Sequence, residues 1–147
     1  PLNTIVSTYI DDLIAISPRP VELSIEPLIV IGDSDAWEQA LGNITQNIIR
    51  YTPADSPVTV ELHRIMNEGS WVAELVIDDS GPGIPESMRE RIFDRFARLD
   101  DSRSTETGGF GLGMSIIKAT VIAQLGTIAL QESPTGGLRI RIQVPVS

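Results

Sequence analysis

The sequence predicts an α+β domain, a two-layer sandwich in which a mixed, mostly antiparallel sheet packs on about three helices. Stretches with apolar residues at helical spacing alternate irregularly with stretches of period-two alternation. Two short turns, Asn67-Glu68-Gly69 and Ser133 to Gly137, join neighbouring strands as hairpins. The 147 residues are 41% hydrophobic, which fits a single domain spanning residues 1–147 with a real core.

Leu2, Ile5, Val6, Tyr9, Ile10, Leu13 and Ile14 recur at helical spacing, so the chain opens with an amphipathic helix that Pro18-Arg19-Pro20 ends. Val21 to Ile31 holds strand material broken by Pro27. Gly32-Asp33-Ser34 is a turn, and Asp35 with Glu38 resembles a capping box for a helix that runs to about Tyr51. Val58, Val60 and Leu62 alternate with Thr59, Glu61 and His63 as a half-exposed strand. The apolar run Trp71 to Ile77 reads as a buried strand. Pro85 suits the first turn of a helix, with Glu86 and Glu90 near its positive end and Arg95 and Arg98 towards the other. Leu99 to Gly109 is polar and long for a connection in a compact domain, the pattern of a mobile lid. Gly113 to Leu125 is helical again, and Thr127 to Gln131 and Leu138 to Val144 are strands.

Composition excludes several classes. Eleven basic against twenty acidic residues give a net charge of −9, which argues against a nucleic-acid binder. The same acidity repels free ATP, so a nucleotide site would need a metal ion and local cations. With no cysteine there is no disulfide framework and no thiolate metal site. No apolar run approaches the ~20 residues that span a bilayer, and no signal peptide is visible. The expectation is therefore a cytoplasmic domain that makes no membrane contact itself. Because it starts at Pro1, it reads as a piece of something longer.

On a helical wheel Trp37, Leu41, Ile44 and Ile48 gather on one face. Asn43, Asn47 and Arg50 form a neighbouring stripe. Amide oxygens are hard neutral ligands suited to Mg²⁺, which shares phosphate oxygens and keeps waters. Arg50 can bind phosphate in a forked geometry, and Tyr51 offers a flat ring for a base or ribose. A solvated helix flank explains the same stripe. Asp79 stands at a strand exit before Gly81 and Gly83. An ionised carboxylate only accepts hydrogen bonds, so it would select an amino base over a keto base. The glycines remove side chains where a ring must lie. Read alone, Asp79 serves equally as a local cap of a glycine turn. Gly109, Gly111 and Gly113 lie just ahead of the next helix, where backbone N–H groups make an anion site, or else a flexible linker. Their spacing matches neither the P-loop nor the Rossmann fingerprint.

Taken in order, these segments resemble the catalytic, ATP-binding domain of sensor histidine kinases, within the wider gyrase and heat-shock-chaperone ATPase superfamily. Leu41 to Pro53 resembles the N box, Asp79 to Pro85 the first glycine box, Ile92 to Phe96 the F box, and Gly109 to Gly113 the second glycine box. Gly136-Gly137 and the strand after it resemble the closing hairpin. The resemblance implies the Bergerat-type ATP-binding fold, with ATP and Mg²⁺ as cofactors. It implies that Asn47 ligates Mg²⁺, with Asn43 beside it near the phosphates, and that Arg50 meets phosphate where many relatives carry Lys. Tyr51 would line the pocket, Asp79 would bond the adenine amine, and Gly81 and Gly83 would sit by the base. Gly109, Gly111, Leu112 and Gly113 would lie by the phosphates under the lid. Arg98 would reach the γ-phosphate, or stand as a solvated helix-end charge. Phe93 and Phe96 would anchor the lid helix. Gln124 stands where relatives often have His, and Leu138 where they often have Thr.

Two absences define the reaction the resemblance implies. ATP-hydrolysing relatives place a water-activating Glu where this chain has Asn43, and an amide cannot act as general base. His63, the sole histidine, reads as an exposed strand residue and not as a phosphoacceptor. Both point to transfer of the γ-phosphate to a histidine on a separate helical dimerisation domain, with a response regulator as further partner. A serine kinase of the anti-sigma-factor type and a degenerate nucleotide-binding interaction module are the alternatives.

Overall fold

Leu2, Val6, Ile10 and Leu13 fall on one stripe of the first helix, α1 (Leu2–Ile16), and all four are buried. The computed structural model describes residues 1–30, 32–53, 55–81 and 105–146, with the side chains of all but Tyr51 and residues 105–113 among them. After α1 come β1 (Val21–Ile25), α2 (Ser34–Tyr51), β2 (Val58–Asn67) and β3 (Ser70–Asp78). Then follow α3 (Thr105–Ala123), β4 (Thr127–Glu132) and β5 (Leu138–Pro145). The expected helix after Pro85 and the F box lie outside the described residues.

The strands form one five-stranded sheet in the order β1-β2-β3-β5-β4. Only β1 and β2 run parallel, in register Val21 with Val58; the other pairs are antiparallel. The predicted α+β, two-layer architecture is thus the one observed. Strand alternation sends Val58, Val60 and Leu62, Ala73, Leu75 and Ile77, and Ile140, Ile142 and Val144 to one face. Trp37, Leu41, Ile44 and Ile48 of α2 and Met114, Ile117 and Val121 of α3 close the same cluster from above. The Trp37 indole N–H finds no acceptor among the described residues, a cost of about 1–3 kcal/mol that its buried ring must offset.

The helix-2 cap differs from expectation by two residues. Asp33, in extended conformation, caps α2 through its carboxylate, which accepts from the Asp35 N–H at 2.9 Å. Asp35 is already in the first turn, where its charge suits the helix dipole. The β2–β3 hairpin turns at Glu68 and Gly69, both with positive φ (49° and 82°), the mirror-image turn that matches strand twist. The start of β3 is not buried as the apolar run suggests. Trp71 is 51% exposed at the hairpin end, opposite the exposed Met66, and its ring carries the Arg64 guanidinium at 4.7 Å. His63 is also half-exposed, with Nε2 3.1 Å from Ser24 Oγ and Nδ1 3.7 Å from Glu26.

Candidate functional site

Burial of the apolar stripe of α2 fixes where its next stripe points. Asn43 and Asn47 are half-buried, and Arg50 is exposed in the last turn. Asn43 Nδ2 donates back to the Gln39 carbonyl at 3.0 Å. Asn47 Nδ2 donates to Met114 Sδ on α3 at 3.4 Å. A thioether accepts and cannot donate, so the amide nitrogen must face α3 and the amide oxygen must face away. The helix therefore presents the acceptor end of Asn47.

At the end of β3 two adjacent carboxylates take opposite faces of the sheet. Asp78 faces away from the helices and binds Arg139 through both oxygens, at 2.7 and 2.9 Å. That contact raises the Arg139 pKa. Asp79 faces the helix layer. Its Oδ1 accepts from the Gly81 and Leu138 N–H groups, both at 3.0 Å. Its carbonyl accepts from Ser133 Oγ at 2.8 Å and Thr135 Oγ1 at 3.3 Å. Oδ2 accepts no hydrogen bond from the described residues. The capping and ligand roles are therefore compatible, one oxygen for each. Burial pushes the Asp79 carboxyl above the usual carboxylate range, against the pull of the two N–H bonds. A Cβ on Gly137 would lie 2.3 Å from the Asp79 carbonyl oxygen and 2.5 Å from Oδ1, so only glycine permits this cradle.

The second glycine cluster sits differently from expectation. Helix α3 starts at Thr105, so Gly109, Gly111, Leu112 and Gly113 are inside it and not ahead of it. Each glycine weakens a helix by about 1 kcal/mol relative to alanine. Burial of Met114, Ile117 and Val121 anchors the helix whose first turns these glycines form. Tyr51 closes α2. Gly83 and Arg98 lie outside the described residues, as does most of the expected lid. Among the described residues the structure brings Asn47 to Met114 across α2 and α3, and it joins the end of α2 to the Asp79 turn indirectly. Arg19 donates to Thr52 Oγ1 just beyond α2 and to Ser56 Oγ, and Ser80 Oγ donates to the Pro57 carbonyl. Sequence reasoning missed Arg19, Met114, Ser133 and Gly137. An arginine enclosed by two prolines was the one available signal for the first.

Among the described residues no group of three or more His, Cys, Asp or Glu could hold a metal ion. A divalent cation would rest on the Asn47 oxygen together with phosphate oxygens and water, the donor set that suits Mg²⁺. The residues present fit that group.

Comparison with known proteins identifies the class of this fold. The chain belongs to the histidine kinase-, DNA gyrase B- and HSP90-like ATPase family, whose model matches residues 32–147. It is similar to the sensor histidine kinase CpxA of Escherichia coli (strain K12), 35% identical over 120 residues that cover 82% of this chain and 25% of CpxA. It is 33% identical to the sensor protein RstB of the same organism over 144 residues, 96% of this chain and 32% of RstB. The chain thus spans a third or less of these relatives. The solved mycobacterial sensor histidine kinase MprB superimposes with a TM-score of 0.83 at 28% identity, covering 97% of this chain and 93% of that one.

Proposed function

We propose that this chain is the catalytic domain of a sensor histidine kinase. It binds ATP with Mg²⁺ and presents the γ-phosphate to a histidine on a separate helical domain of the parent, which in turn serves a response regulator. The observation that carries this is the divided Asp79 carboxylate. One oxygen is fixed by backbone N–H groups, and the other accepts no hydrogen bond from the described residues, which leaves it to accept from the adenine amine. Gly81 and Gly83 leave room for the ring, and Tyr51 lines its edge. Asn47 supplies the metal ligand, with Asn43 one helical turn before it. Arg50 and Arg98 offset phosphate charge. Gly109, Gly111, Leu112 and Gly113 let the backbone at the start of α3 approach the phosphates. Asn47, with water and phosphate oxygens, would hold Mg²⁺, which would supply neutralisation of the charge that develops in transfer.

The protein groups do the positioning, and none of them activates water. Asn43 stands where a base would be needed and cannot take a proton. Transfer to a supplied nucleophile follows. No helix among the described residues is long and apolar enough to cross a membrane. The domain works in the cytoplasm, where ATP is available.

Calorimetric titration with ATP and GTP, each with and without Mg²⁺, tests the site. ATP should bind with a Mg²⁺-dependent gain, and GTP should bind at least about tenfold more weakly, the cost of a mispaired buried polar group. Equal affinity for both nucleotides would end the assignment of Asp79. Phosphotransfer to a histidine-bearing helical domain, and not to a serine-bearing partner, tests the activity.

A further inference from the structure

Arg19 lies in the connection between α1 and β1 and is 8% exposed. Its guanidinium is held by neutral oxygens. Nε donates to the Ser17 carbonyl at 3.2 Å, Nη2 to Ser17 Oγ at 2.7 Å, and Nη1 to Thr52 Oγ1 at 2.7 Å and Ser56 Oγ at 3.5 Å. No carboxylate among the described residues forms an ion pair with it. A buried cation tied only to neutral groups is costly, and its field stays available at longer range. The acids that this field reaches are Asp79 and Asp55.

Two further bonds connect this cation to the Asp79 turn. Val58 N–H donates to the Pro20 carbonyl at 3.0 Å, and Ser80 Oγ donates to the Pro57 carbonyl at 3.2 Å. The guanidinium thus grips the residue after α2 and Ser56 in the next loop, while Pro57 of that loop grips the residue after Asp79. The guanidinium itself touches Ser17, Thr52 and Ser56, and the Asp79 turn joins them through Pro57.

We propose that Arg19 is a positioning residue of the nucleotide site, fixing the end of α2 and the loop that holds Ser80 so that the Asp79 turn keeps its place for adenine. This rests on the reading of Asp79 as the adenine acceptor. The groups around Asp79 set the balance. Burial and the adjacent Asp78 on β3 oppose ionisation; the Leu138 and Gly81 N–H groups and Arg19 favour it. The β4–β5 turn adds the Ser133 and Thr135 hydroxyls at the carbonyl and no charge. Asp55 faces Arg19 and draws on the same field.

The test is the affinity of the chain for ADP across the acid range, beside inosine diphosphate, which lacks the amino group. In the parent, ADP affinity falls as Asp79 takes up a proton. Arg19→Gln should lower the ratio of ADP to inosine diphosphate affinity several-fold as the Asp79 turn shifts, and should move that midpoint upward because a charge favouring the ionised form is lost. Arg19→Lys, which keeps the charge but not the fork, should hold the midpoint near the parental one while weakening ADP a few-fold. Inosine diphosphate affinity should change little in Arg19→Gln relative to ADP. An unchanged ratio of ADP to inosine diphosphate affinity in Arg19→Gln overturns the proposal even if both affinities drop. Should that variant fail to fold by thermal melting, the pair Thr52→Val and Ser56→Ala, which frees the guanidinium, must lower that ratio the same way. Asp79→Asn separates the two levels. If it leaves the preference for ADP over inosine diphosphate intact, the reading of Asp79 fails. If it erases the preference while Arg19→Gln shifts nothing, only the role of Arg19 fails.

Discussion

Asn47 Nδ2 donates to Met114 Sδ across the α2–α3 interface at 3.4 Å. The bond is weak, but its direction matters more than its strength. Of the two ends of the amide, only the nitrogen can satisfy a sulfur acceptor. Met114 is fully buried, so the acceptor is fixed in the core and Asn47 cannot rotate without losing it. The oxygen end is thereby turned away from Met114 and left free of that contact, as the proposed metal ligand must be.

Met114→Leu removes that acceptor at nearly constant volume. Such swaps cost less than about 1.5 kcal/mol in a core, so the fold should survive. The part of ADP affinity that depends on Mg²⁺ should fall about two- to fivefold, the worth of one weak hydrogen bond. Affinity measured in chelator should not change. Calorimetry with and without Mg²⁺ reads both. Asn47→Asp is the companion variant and should disturb the metal dependence more strongly, since it replaces a neutral ligand with a charged one.

Gly136 and Gly137 are adjacent but carry different constraints. Gly136 has φ of +91° and open space around a would-be Cβ, so Gly136→Ala strains only the backbone, by about 1 kcal/mol. A Cβ on Gly137 would collide with the Asp79 carbonyl oxygen and Oδ1. Gly137→Ala must push the Asp79 turn away, with about 1–3 kcal/mol lost in stability. It should also weaken ADP at least tenfold, where Gly136→Ala leaves ADP affinity unchanged. Thermal melts and calorimetry on the two variants check this contrast.

Much of this was legible from the chain alone. The stripe Trp37, Leu41, Ile44 and Ile48 follows from helical period, and its burial is as expected. The hairpins at Glu68-Gly69 and Ser133 to Gly137 follow from turn chemistry. Local patterns cannot report where a neighbouring element ends. Trp71 looks like core in sequence and is exposed at the hairpin end, opposite the exposed Met66. Glycine content argued for a loop at Gly109 to Gly113, while α3 continues through it because packing of its apolar half outweighs propensity. Arg19 and Met114 act through partners far away in sequence, Thr52 and Asn47, and no local pattern encodes such a contact.

Asp78 and Asp79 are neighbours whose substitutions should have separable effects. Asp78 is committed to Arg139 on the open face of the sheet. Asp78→Asn should cost about 1–3 kcal/mol of stability, the range for hydrogen bonds to charged groups, and leave nucleotide preference intact. Asp79→Asn should erase most of the preference for ADP over inosine diphosphate with a smaller loss of stability, because the amide oxygen can still accept from Gly81 and Leu138. Denaturant melts and nucleotide titration on both variants distinguish the roles. Loss of nucleotide preference in Asp78→Asn would show that the two faces of the strand are coupled.

Acid should affect stability and nucleotide affinity through Asp79 in opposite directions. Burial raises its folded pKa above the ordinary value of 3.8, despite two N–H bonds that favour the ionised form. An acid whose pKa is higher in the folded state than in the unfolded chain binds protons preferentially on folding. Its ionisation penalises the folded state at all pH values above the raised folded pKa. That penalty is relieved as pH falls through the folded pKa and is gone by the unfolded one. Within this window the Asp79 contribution to unliganded stability improves on acidification. The same proton blocks acceptance from the adenine amine, so ADP affinity falls across the same window. Asp79→Asn should flatten both trends relative to the parent. Melts of the nucleotide-free chain and ADP titrations, run in parallel on both proteins over the acid range, will show whether the two slopes differ in sign, as a single buried carboxylate requires.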